Sequence, residues 1–245
     1  MTATRTFSPL LARYEEKYED RPRMELLGLL DMPFRTVLEI GCGGGATGKM
    51  IKQQYPGTTY IGVEIDREAA GEARKVLDHV VTCDVERFTL EDAGIPLQEV
   101  DVVILADVLE HLYDPWKLLR SLHAHLRPEG AVVASIPNAQ NVRLLQNLVN
   151  GFWTYGNQGL LDATHIRFFT MIEIGRMFTG SGYLIDQLIS SCDADMPSGG
   201  SWPRDLTLGK VTLHGVTLED LQQLYTFQYL VRARRQPANG TGGRP

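Results

Sequence analysis

Residues 39–50 read EIGCGGGATGKM. The run starts inside an apolar stretch, TVLEI (36–40), and leads into a helix-like one, so it reads as strand, glycine turn and helix. Outward from it, short apolar runs alternate with helix-patterned stretches: TYIGVEI (59–65), HVVTC (79–83), VDVVILA (100–106) and AVVASI (131–136). That alternation is the pattern of a parallel sheet with crossover helices, an α/β fold. VDVVILA is almost continuously apolar, as expected of a strand covered on both faces. Two further strands are expected at YLIDQLIS (183–190) and TFQYLVRA (226–233).

Helix starts are marked by their caps. Asp66 precedes REAAGEARKVL, Asp114 with Pro115 precedes WKLLRSLHAHL, and Thr170 with Glu173 and Thr217 with Asp220 are spaced as capping boxes. Residues 9–30 read as helical, so 1–34 is expected to form an N-terminal helical cap over one edge or the mouth of the site. The main domain is expected over 35–235, with 137–169 an insertion covering the substrate. A Gly/Pro/Ser-rich loop is expected over 193–210, and QPANGTGGRP (236–245) is expected to be a disordered tail.

The chain has 245 residues, enough to bury one sizeable core, and a formal charge of -6 that offers no basic field to a phosphate backbone. Nucleic acid is therefore not an expected partner, and RARR (232–235) reads as a solvated strand end. Cys42, Cys83 and Cys192 are odd in number and far apart, which suits a reducing compartment better than a disulfide framework. No metal-ligand spacing is visible. MTATRTFSPL lacks a signal-peptide core and no apolar run approaches the roughly 18 residues of a membrane span, so a cytoplasmic protein is expected.

Three ligands fit the glycine turn. From Gly41 it is Gly-x-Gly-x-x-Ala, a dinucleotide turn. From Gly43 it is a phosphate loop, except that Met50 stands where a hydroxyl should hold Mg²⁺, and a thioether is a poor ligand for that hard ion. With Glu39 it is E-x-G-x-G, the turn of S-adenosylmethionine enzymes. Glu64, at the end of the second strand, is placed to take ribose hydroxyls in either the first or the third case.

Glu39 separates those two. A carboxylate inside an apolar strand would repel a pyrophosphate by about 4 kcal/mol at 4 Å and an effective dielectric of 20, but would attract an ammonium or sulfonium. With Asp84 after the third strand and Asp107 after the fourth, four acids crowd the carboxyl edge of the sheet, where open α/β sheets bind ligands. Asp84 also suits a turn, and Asp107 a helix cap.

The segments VLEIGCGGG (37–45), YIGVEID (60–66), TCDVE (82–86), ADVLEHL (106–112) and LRPEGAVVASIPN (126–138) together resemble the class I S-adenosylmethionine-dependent methyltransferases, over roughly residues 14–190. The resemblance implies a Rossmann-like, seven-stranded, mostly parallel sheet with helices on both faces and an antiparallel last strand. It implies S-adenosylmethionine as cofactor, with Gly41, Gly43 and Gly45 near the methionine part, Glu64 with Ile65 at the ribose, and Asp84 with Val85 at the adenine. NVRLLQNLVNGFWTYGNQGLLDATHIRFFT resembles a stretch of bacterial methyltransferases linked to glycan assembly, and ADVLEHL is also common in quinone-biosynthesis methyltransferases. Base-methylating enzymes usually carry Asn/Asp-Pro-Pro-aromatic where this chain has ADVL, which argues against DNA.

Methyl transfer to a hydroxyl needs a proton acceptor, and histidine serves at neutral pH. The candidates are His165, within the polar group Asp162, Thr164, His165 and Arg167, and His111, just past the fourth strand. Trp153 and Tyr155 would wall a sugar or ring acceptor, with Arg167 and Asn138 as further substrate contacts. Tyr14 and Tyr18 would close over the methionine end. The expectation is an enzyme that O-methylates a small molecule or glycan; a homodimer is compatible with it. The alternatives are a nicotinamide oxidoreductase and a catalytically silent methyltransferase-like scaffold.

Overall fold

The computed structural model describes residues 21–193 and 195–236. One sheet holds seven strands in the order β3 (His79–Thr82), β2 (Thr59–Glu64), β1 (Thr36–Ile40), β4 (Val100–Ala106), β5 (Leu126–Pro137), β9 (Thr226–Arg235) and β6 (Tyr183–Cys192). β1 to β5 pair in parallel, while β9 runs antiparallel to both β5 and β6. The sheet is thus Rossmann-like and mixed, with a single antiparallel strand, the last in the chain.

Side chains alternate across this sheet and in the central strands are buried on both faces. Val103 and Leu105 of β4 join a core with Leu118, Leu119 and Leu122 of α3 (Pro115–Leu122) and Ile174, Met177 and Phe178 of α5 (Met171–Gly180). Val102 and Ile104 join the other, with Ile51 of α1 (Ala46–Gln54), Ala73 of α2 (Arg67–Ala73), and Leu26 and Leu29 of a 3-10 turn at Met24–Leu29. Two-sided burial explains the unbroken apolar reading of β4, each such side chain contributing about 1.5–3 kcal/mol. A third, smaller core joins Val142 of α4 (Val142–Val149) to Leu221 and Leu224 of α6 (Leu218–Tyr225) and to a hairpin, β7 (Arg204–Leu208) and β8 (Val211–Val216).

That hairpin corrects the loop expected over 193–210. RDLTL and VTLHGV flank a turn at Gly209, whose φ of +62° suits glycine, and Leu208 and Val216 are buried beneath the strands. The caps follow the sequence with one shortfall. Asp66 accepts from Ala69 N, Asp114 from Lys117 N, and Thr217 with Asp220 completes a reciprocal box. Thr170 accepts from Glu173 N at 3.4 Å, but the Glu173 carboxylate takes Arg176. Of the helix expected over 9–30, the described part is the 3-10 turn; residues 9–20, with Tyr14 and Tyr18, lie outside the described residues, as do 237–245 of the tail. Among the described residues no helix is long and apolar enough to cross a membrane.

Candidate functional site

The carboxyl ends of β3, β2, β1 and β4 bring Asp84, Glu64, Glu39 and Asp107 into one row, because those four strands are neighbours in that order. The glycine turn sits over the middle of it. Gly41 and Cys42 donate to Val63 O, which folds the turn back onto β2, and Gly45, at φ +88°, starts α1. α1 then packs close on the sheet. A Cβ at Gly48 would lie 2.4 Å from Leu77 and 2.7 Å from the Tyr60 ring, so the close helix–sheet approach falls at Gly48 rather than at Ala46.

Each acid of the row has a partner within the chain. Glu64, buried at 9% exposure, accepts Gly43 N–H at 2.9 Å through one oxygen and Asp66 N–H at 2.8 Å through the other. Glu39 is buried and accepts the Tyr60 hydroxyl at 3.0 Å. Burial, and then the Glu39 charge, hold the Tyr60 phenol well above its ordinary pKa, so it stays a donor. Asp107, at φ +52°, exchanges hydrogen bonds with Ser135 and meets Arg23 at 2.5 Å. Asp84 accepts Glu86 N and pairs with Arg87, the turn role open to it from the sequence. Val85 packs partly buried against the core, while Ile65 is exposed.

The two candidate histidines meet. The 3-10 turn Leu109–His111 follows β4, and the insertion folds back over it, with Ile166 N and Arg167 N donating to Glu110 O at 2.9 and 3.0 Å. The His111 and His165 rings lie 4.8 Å apart, edge to face. Nδ1 of His111 lies 3.2 Å from Thr164 O and 3.0 Å from Thr164 Oγ1, whose own proton goes to Asp162, and Nδ1 of His165 lies 3.2 Å from Leu160 O. A carbonyl only accepts, so both Nδ1 atoms carry protons, and Nε2 is the basic nitrogen of each neutral ring. Asp162 accepts from both N and Oγ1 of Thr164, which holds that segment in place. Glu110, unremarked in the sequence, completes the group: it is 1% exposed, and its Oε1 lies 3.9 Å from His165 Nε2. Neither of its oxygens has a hydrogen-bond partner among the described residues. Burial, then the charge of Asp107, push its pKa well above the usual carboxylate range. Glu110, His111 and His165 each bring one ligand-type atom within 4.8 Å of the others, a combination for which the sequence offered no metal spacing.

The expected substrate contacts divide. Trp153 and Tyr155 are 38% and 40% exposed, and Trp153 stands edge-on to Phe168 at 5.7 Å, so an aromatic surface is available. Arg167 donates to Tyr113 O and Ile166 O, tying the insertion to the segment after Leu109–His111. Asn138 is fully buried; its amide donates to Gln223 O and Thr226 O and its oxygen accepts Gln140 N, so it latches the end of β5 to the end of α6. Two open depressions, one lined by Phe34, Tyr55 and Gly57 and the other by Thr36, Thr59 and His79, lie at the amino ends of the strands, across the sheet from the carboxylate row.

Residues 8–188 match the family model described as Methyltransferase domain. The chain belongs to that family. The ubiquinone biosynthesis O-methyltransferase of Aeromonas salmonicida (strain A449) is 28% identical over 153 residues, which are 62% of this chain and 63% of that protein. The chain therefore spans less than two thirds of that relative's length. Among solved structures, a SAM dependent methyltransferase from Archaeoglobus fulgidus superposes with a TM-score of 0.57 at 18% identity, over 93% of this chain and 95% of the other. The plantazolicin methyltransferase BpumL, solved in complex with SAH, gives 0.56 at 14% identity, over 87% and 80%. At such identities the likeness is one of fold.

Sequence reasoning passed over Glu110, Tyr60 and Arg23. A carboxylate between Leu109 and His111 in the otherwise apolar ADVLEHL was a signal for Glu110, since buried acids are rare. Tyr60 and Arg23 carried none, because their roles arise from β1–β2 register and from a contact across 84 residues of chain.

Proposed function

We propose that this chain transfers a methyl group from S-adenosylmethionine to an oxygen of a small molecule or sugar. The observation that carries the reading is the carboxylate row Asp84, Glu64, Glu39, Asp107 gathered round the glycine turn by the strand order. Such a donor set suits a cationic nucleoside with ribose hydroxyls and disfavours a diphosphate. When bound, S-adenosylmethionine supplies a methyl group activated on a positively charged sulfur. Glu64, with Ile65 beside it, would accept from the ribose hydroxyls while its hydrogen bond to Gly43 holds the turn; Glu39 and the turn Gly41–Gly45 would face the methionine end, and Asp84, with Val85, the adenine.

In-line methyl displacement depends mainly on holding the nucleophile in place. Trp153 and Tyr155 would seat the acceptor, and His111 or His165 would take the hydroxyl proton on Nε2. The name of the Aeromonas relative, an O-methyltransferase, supports oxygen as the accepting atom, and SAH in a structural neighbour supports the cofactor.

Calorimetric titration with S-adenosylhomocysteine and, separately, NADPH tests the cofactor. Binding of the first and not the second is expected; the reverse overturns the proposal. Incubating the protein with cell extract and methyl-labelled cofactor then identifies the acceptor, and label on nitrogen or carbon alone overturns the choice of oxygen. Cofactor binding with no product from any extract would favour the silent scaffold.

A further inference from the structure

We propose that Glu110 is a positioning residue that shares one exchangeable proton with His165 and His111, so that the three side chains together form the pocket receiving the acceptor's proton. The proposal rests on the methyl-transfer reading and adds a residue to it.

The geometry is that of a proton-holding pocket. Glu110 is 1% exposed and His165 8%, and the carboxyl oxygen faces the histidine nitrogen across 3.9 Å. The carbonyls of Leu160 and Thr164 take the Nδ1 protons, leaving both Nε2 atoms as the basic positions. A buried carboxyl without a hydrogen-bond partner is costly as an anion and is relieved by binding a proton or by facing an imidazolium. Asp107 and Asp162 add negative potential around it and Arg23 subtracts some; with His111 and His165 these are the charged and titratable groups that act on it among the described residues. Held so close, the carboxyl and imidazoles titrate as one unit rather than singly.

In the transfer, the acceptor's O–H bond breaks and its proton passes to Nε2 of His111 or His165. An O–CH₃ bond forms on the acceptor oxygen, and the S–CH₃ pair stays on sulfur as a neutral thioether. The new imidazolium faces Glu110 across the pocket, where the carboxylate form balances its charge, and the proton leaves to solvent with the product.

The test uses the full chain without ligand, its histidines labelled with ¹⁵N, and follows the imidazole shifts with pH; His165→Gln assigns the resonance. In Glu110→Gln the His165 midpoint is expected to fall by at least one pH unit, a tenfold loss of proton affinity. Coincident midpoints in the two proteins would overturn the proposal. So would one equivalent of a divalent ion retained through purification and measured by mass spectrometry, which would assign the three side chains to a metal. Should Glu110→Gln fail to fold, the ¹³Cδ shift of Glu110 in the unaltered chain gives the reading: titration above the ordinary carboxylate range supports the proposal, and titration within it overturns it. Failure to bind S-adenosylhomocysteine would sink the methyl-transfer reading while leaving these titrations interpretable.

Discussion

Glu64 holds the backbone N–H of Gly43 at 2.9 Å, so the last side chain of the second strand fixes the turn that follows the first. The same carboxylate is the one proposed to meet the ribose, and its two duties can be separated. Glu64→Ala removes the acceptor of both Gly43 N–H and Asp66 N–H, with an expected stability loss of about 1–3 kcal/mol in urea unfolding. Calorimetry should show at least a tenfold weaker S-adenosylhomocysteine complex, about 1.4 kcal/mol. Unchanged affinity in a folded variant would remove Glu64 from the ligand site.

Tyr60→Phe tests how Glu39 is kept in the core. The variant loses only the hydroxyl that donates to Glu39 at 3.0 Å, inside a site where both residues are buried. A loss of about 1–3 kcal/mol is expected by chemical denaturation, since a buried acceptor loses a donor without gaining water. A change below experimental error would mean that Glu39 does not depend on Tyr60.

Gly48→Ala tests the close approach of α1. On helix propensity alone the change should stabilise by up to about 1 kcal/mol. The added methyl would instead sit 2.4 Å from Leu77 and 2.7 Å from Tyr60, and overpacking of about 1–3 kcal/mol is expected to win. A raised melting temperature would contradict the tight packing.

Glu110 makes a prediction in pH. Its carboxyl is held well above the ordinary range by burial and then by Asp107, so the folded chain keeps a proton that the unfolded chain releases near pH 4.3. The stabilising contribution is complete below that pH and is lost as pH rises through the folded value. Relative to Glu110→Gln, the unaltered protein should therefore lose stability as pH rises from about 4 through the carboxyl's raised folded value. Urea unfolding at several pH values checks the slope; a difference that does not vary with pH, or grows as pH rises, would contradict the shift.

Much of this molecule is local in origin. The apolar run VDVVILA and its four companions carry β1 to β5, and YLIDQLIS and TFQYLVRA carry β6 and β9, because short apolar runs mark strands and those buried on both faces, such as β4, read as unbroken. Caps such as Asp66 and Asp114 mark helix starts because the bonds they make span three residues. The hairpin of β7 and β8 escaped because its alternation of apolar and polar residues sits beside a glycine- and proline-rich stretch that reads as loop.

The sequence by itself determined the succession of the seven strands of the main sheet along the chain, the glycine turn, and which acids end on the carboxyl edge, since each follows from short-range periodicity and spacing. Only the tertiary structure decided what those groups touch. Strand register sets Tyr60 against Glu39, the returning insertion carries His165 to Glu110 and His111, and Asn138 becomes a buried latch. Contacts between residues tens of positions apart depend on how layers pack and how loops return, and no local pattern records that.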